Sequence, residues 1–107
     1  MENIRENNKD LHIMTDDDVK RKALKSVLLH IRKKMPPDHE LIGYFNEWAA
    51  EMEELLERPE FEKAAFYDMR HKLNNIIEKT YDGDIRFKLR DSWYSLGKAL
   101  DKKLKPK

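Results

Sequence analysis

The chain has 107 residues, enough for one hydrophobic core and one domain. Charged residues make up 40% of it, yet the net charge is only +1, which argues against a general polyanion binder. The absence of cysteine excludes disulfide frameworks, thiolate zinc sites and cysteine nucleophiles.

Residues 1–10, MENIRENNKD, alternate charge and amide with one apolar residue after the first Met, and nothing in them has the apolar run of a signal peptide. They read as disordered, so the expected organisation is a flexible tail over 1–14 and a single helical-bundle domain over 15–107. Leu11, Ile13 and Met14 form a short apolar patch placed to dock on that bundle. Beyond the tail, periodic apolar residues and aromatics such as Trp48 and Trp93 exclude disorder. No segment approaches the roughly 18–20 continuous apolar residues of a membrane span, and a soluble cytoplasmic protein is expected.

The first helix should start at Thr15. Its hydroxyl suits an N-cap, Asp16, Asp17 and Asp18 suit the positive end of the helix dipole, and Met14 and Val19 are spaced as a hydrophobic staple. Val19, Ala23, Leu24, Val27, Leu28, Ile31 and Met35 form its buried stripe, and Pro36-Pro37 end it. Arg21, Lys25 and Arg32 cluster off that stripe.

The second helix is the strongest core-former. Leu41, Phe45, Trp48, Met52 and Leu55 recur at helical spacing, and Ile42, Ala49 and Leu56 widen the face. Asp38 is its expected cap and Glu57 its end. Gly43 inside it costs about 1 kcal/mol against alanine, and it either lets a neighbour approach closely or is merely tolerated.

Pro59 suits the first position of the third helix, whose inner face is Ala65, Phe66, Met69, Leu73, Ile76 and Ile77. The segment Tyr81-Asp82-Gly83-Asp84 reads as a turn, with Gly83 able to take positive φ and Asp84 suited to cap the fourth helix. That helix, from Ile85 to about residue 105, buries Ile85, Leu89, Trp93, Leu96, Leu100 and Leu104, and Pro106 stops it. Four helices of similar length with short connections predict an all-α, up-down-up-down antiparallel four-helix bundle. The rival is a three-helix bundle with the first helix swapped or docked on a partner.

Catalytic chemistry finds little support. Glycine occurs only at positions 43, 83 and 97, so there is no phosphate-cradling loop. The nearest imitation of a di-iron motif, Asp68 with His71, falls off the Leu73 and Met69 stripe. No enzyme, metal or cofactor is expected.

The charge distribution says more. Lys and Arg against Asp and Glu number seven to three over 15–35, none to seven over 38–57, and seven to three over 84–105. In an up-down bundle the first and fourth helices are neighbours, so their basic faces should merge. Phe87 and Tyr94, seven apart and off the fourth helix's stripe, stand among Arg90, Asp91 and Lys98. Aromatics beside cations favour interface anchors. The expected docking surface is therefore Arg21, Lys25, Arg32, Phe87, Arg90, Tyr94 and Lys98. The leading expectation is a non-enzymatic protein-interaction or regulatory module, and the alternative is nucleic-acid binding by the same face through stacking and phosphate neutralisation. Self-association of the basic face with the acidic second helix is a third reading. The competing account of Phe87 and Tyr94 is that the Leu11–Met14 patch or Tyr67 covers them.

Overall fold

The computed structural model describes residues 14–104, so the expectations for a disordered tail, for docking by Leu11 and Ile13, and for Pro106 as a helix stop lie outside the described residues. Four helices make up the rest: α1 (Asp16–Lys34), α2 (Ile42–Glu57), α3 (Lys63–Lys79) and α4 (Gly83–Leu100). Each packs on its neighbours in a ring, α1 on α2, α2 on α3, α3 on α4 and α4 on α1, with no contact between these helices across either diagonal. The α1 helix packs within its own chain, which removes the three-helix rival. No strand occurs among the described residues. The core is the one the periodicity indicates: Leu24, Leu28 and Ile31 of α1, Phe45, Trp48 and Met52 of α2, Phe66, Met69 and Leu73 of α3, Leu89, Leu96 and Leu100 of α4.

The helix ends show where local chemistry departs from expectation. The α1 start is as predicted: Thr15 Oγ1 accepts from the Asp18 amide at 3.1 Å and Asp18 Oδ2 accepts from the Thr15 amide at 2.9 Å, a reciprocal capping box. The α2 start is not. Asp38 is not its cap; turns from His39 N to Pro36 O and from Ile42 N to His39 O carry the chain round after the prolines, and α2 begins with Leu41 as its N-cap. Helix α3 likewise begins at Lys63 rather than at Pro59, because the intervening Phe61 is used in packing, its ring stacked on Phe66 at 5.0 Å.

At α4 the cap is Asp82 instead of Asp84. Its Oδ1 accepts from the amides of Asp84 and Ile85 at 2.9 and 3.2 Å, which draws Gly83 into the first turn without a positive φ. The helix ends at Leu100, so Leu104 is exposed rather than core. Gly43 has open space beside it: a Cβ there would meet nothing within 4 Å among the described residues, so close packing against them does not explain it.

Two tryptophans bracket α3. Trp48 of α2 donates its indole N–H to the Met69 carbonyl at 2.7 Å, and Trp93 of α4 donates to the Arg70 carbonyl at 3.1 Å. Arg70 answers across the α3–α4 seam: its guanidinium lies 3.6 Å from the centre of the Trp93 ring and its Nε donates to the Trp93 carbonyl at 3.0 Å. Gly97, one turn along α4, leaves the space that guanidinium fills, since a Cβ there would stand 2.5 Å from Arg70 Nη2.

Candidate docking face on helix α4

The seven residues expected to form one docking surface divide into two groups. The α1 cations turn toward α2. Arg21 is half-buried and its Nη1 donates to the carbonyls of Leu56 and Arg58 at 2.6 and 2.8 Å, while Nη2 reaches that of Pro59 at 3.4 Å. The guanidinium also lies 5.7 Å from the Phe61 ring centre. Arg21 therefore satisfies open carbonyls at the end of α2, which otherwise lack intrahelical partners. Arg32 pairs with Glu53 of α2 at 3.0 Å. Lys25 lines a shallow recess between α1 and α2 with Leu29, Glu53 and Glu57. Three of the seven cations of α1, Arg21, Lys25 and Arg32, thus turn to the acidic helix beside it.

On α4 the geometry is different. Leu89, Ser92, Leu96, Ala99 and Leu100 are buried, whereas Phe87, Arg90, Tyr94 and Lys98 are all exposed and share the opposite side of the helix. Phe87 is 72% exposed and Tyr94 54%. Tyr94 touches the Trp93 ring edge-on at 5.2 Å, which fixes it without covering it. Tyr67 makes no ring contact with either among the described residues; its ring lies 5.7 Å from Lys63 Nζ. Arg90 and Lys98 have no ion pair among the described residues, while Asp91 on the flank of the row is drawn toward Lys34 of α1 at 3.7 Å. The result is a strip of two aromatics alternating with two such cations.

Between α1 and α4 lies a recess floored by Val19, Ala23 and Val27 and edged by Lys22, Lys98 and Lys102. Lys22 and Lys102 thus adjoin the α4 strip, although sequence reasoning passed over them in favour of Arg21, Lys25 and Arg32. Both sets come from basic helices, and only the direction in which the bundle turns decides which cations face α4.

The titratable side chains are otherwise dispersed. Lys20, 6% exposed, is the one buried charged residue among those described, and its ammonium donates to the Lys102 carbonyl beyond the end of α4. Asp16 Oδ1 accepts from the Leu104 amide at 2.8 Å on the same end of the bundle. Buried Ser92 and Thr80 bond to carbonyls one turn back, Lys88 O and Ile76 O. Asp68 and His71 are exposed, and no group of three metal-ligating carboxylates and imidazoles gathers among the described residues. No helix among them is long and apolar enough to cross a membrane. No family model, curated protein or solved structure matches this chain.

Proposed function

We propose that the chain is a non-enzymatic helical bundle acting as a protein-interaction or regulatory module, with the outward strip of α4 as its docking face. One observation carries the reading: Phe87 and Tyr94 stand exposed in a seven-residue repeat beside two cations, Arg90 and Lys98, that no carboxylate among the described residues neutralises. Burying an aromatic side chain removes about 150–250 Å² from water. Covering an exposed ring of this size gains at most about 1.5–3 kcal/mol before the cost of association is subtracted. Aromatics with Arg at the centre of a face are the usual anchors of protein interfaces, and the unpaired cations favour an acidic partner surface. The non-enzymatic part of the reading is supported by the use of Lys20 in holding α1 to α4 and by the dispersal of the remaining titratable groups over the surface.

Nucleic acid remains the second reading, because bases stack on aromatics and phosphates attract Arg90 and Lys98. Asp91 and Asp101 close to the same strip work against it. A photoreactive phenylalanine analogue at position 87 separates the two. Irradiation of the full chain in extract should yield protein adducts that survive nuclease treatment and that a control analogue at exposed Tyr81 does not give. Adducts removed by nuclease would transfer the face to nucleic acid, and no adduct at position 87 would remove the docking face altogether.

A further inference from the structure

The outward face of α2 is the counterpart of the α4 strip. On α2, Gly43, Glu47, Ala50 and Glu54 are all exposed and succeed one another at four-, three- and four-residue spacing. On α4 the row is Phe87, Arg90, Tyr94 and Lys98. Seven residues separate the two small residues, and seven separate the two aromatics, about 10.5 Å of helix in each case. Glu47 lies between Gly43 and Ala50 as Arg90 lies between Phe87 and Tyr94. Laid antiparallel, the two rings meet the two small residues and Arg90 meets Glu47; laid parallel, the rings meet them again, Lys98 meets Glu54 and Arg90 falls one residue from Glu47. Glu47 has no ion pair among the described residues, and Glu54 shares only an exposed contact with Arg58 at 3.6 Å. Gly43 has open space where its Cβ would be, with no neighbour among the described residues to account for it. Because α2 and α4 make no contact with each other, the two faces of one molecule cannot satisfy each other.

We infer that the partner of the α4 strip is a second copy of this chain, bound through the Gly43–Glu54 face of its α2. The inference rests on the docking reading and gives the occupant its chemistry: small and acidic against aromatic and basic. Such a contact joins unlike surfaces, so association continues to a ring or an open chain instead of stopping at a symmetric pair. A single helix-on-helix contact falls among small interfaces, below about 1,200 Å² in total, and its ion pairs are exposed. The association is therefore weak, grows with concentration and loosens with salt.

Sedimentation velocity of the full chain tests this, with the variants Glu47→Lys/Glu54→Lys and Arg90→Glu/Lys98→Glu checked for native helicity. Wild-type protein should shift to faster species with rising concentration at low salt and return to monomer at high salt. Each double variant alone should stay monomeric, and an equimolar mixture of the two should associate, because the unaltered α4 of the first meets the unaltered α2 of the second. Wild-type protein that stays monomeric at every concentration overturns the inference. So does association that both variants retain, or a mixture that fails to associate. Crosslinking from position 87 to a different protein, with the wild type monomeric, would overturn the second-copy partner and leave the docking face standing.

Discussion

At the scale of single residues, polar groups in this bundle are used where a helix leaves something unfilled. The Trp48 and Trp93 indoles add a hydrogen bond to two successive α3 carbonyls, so a large apolar ring is buried without stranding its one donor. Gly97 works by the same logic in reverse: it is a void shaped for the Arg70 guanidinium. Replacing glycine by alanine in a helix ordinarily gains about 0.5–1 kcal/mol. Here Gly97→Ala should lose that gain and more, because the new methyl displaces Arg70 from the Trp93 ring. In an Arg70→Ala background the same substitution should stabilise by about 0.5–1 kcal/mol, since the obstacle is gone. A double-mutant cycle by urea unfolding reads the change of sign, and equal effects in both backgrounds would mean that Arg70 does not occupy that space. None of this was legible in the sequence. Gly97 and Arg70 lie on different helices, and nothing in the spacing of either indicates that they meet.

At the scale of elements, the buried stripes were legible and the helix ends only partly so. Leu24, Leu28 and Ile31, or Phe45, Trp48 and Met52, repeat at helical spacing regardless of surroundings, and they are core. Thr15 could be found because its capping box is local. Asp38 and Pro59 misled because each satisfies a local rule that tertiary packing overrides, His39 and the prolines turning the chain in one case and Phe61 reaching for Phe66 in the other. Arg21 shows the same effect in the candidate site. By sequence it is one more cation on a basic helix, whereas in the fold it closes the end of α2 through three carbonyls. Hydrogen bonds to charged groups contribute about 1.5–3 kcal/mol net each, and two of the three here are exposed to water. Arg21→Met should therefore lower the unfolding free energy by about 2 kcal/mol while leaving crosslinking from position 87 unchanged. A stable Arg21→Met protein with weakened crosslinking would instead return Arg21 to the docking face.

At the scale of the whole molecule, the charge segregation visible in the composition is real but is resolved differently from the expected merged basic face. Arg32 of α1 pairs with Glu53 of acidic α2 at 3.0 Å, and Lys72 of α3 reaches Glu51 of α2 at 3.0 Å. These pairs are mostly exposed, and such pairs contribute only about 0.2–1 kcal/mol each. The segregation thus does little for stability. The exposed charges that stay unpaired among the described residues include Arg90 and Lys98, beside two aromatics on α4, and Glu47 on α2. The aromatic half of that face was legible, because Phe87 and Tyr94 fall off the Leu89–Leu96 stripe. The cationic half was not, because which side of α1 looks toward α4 depends on the sense in which the bundle turns, and periodicity carries no record of it. For α4 to offer a docking face, Phe87 and Tyr94 must be surplus to the fold. The most direct test is the unfolding free energy of Phe87→Ala/Tyr94→Ala against wild type, monitored by circular dichroism in urea. Exposed substitutions shift stability by about 0.5 kcal/mol each, so the double variant should stay within about 1 kcal/mol of wild type. A loss beyond about 3 kcal/mol, the scale of a single core aromatic, would mean that these rings hold the bundle together and that α4 has no free face to offer.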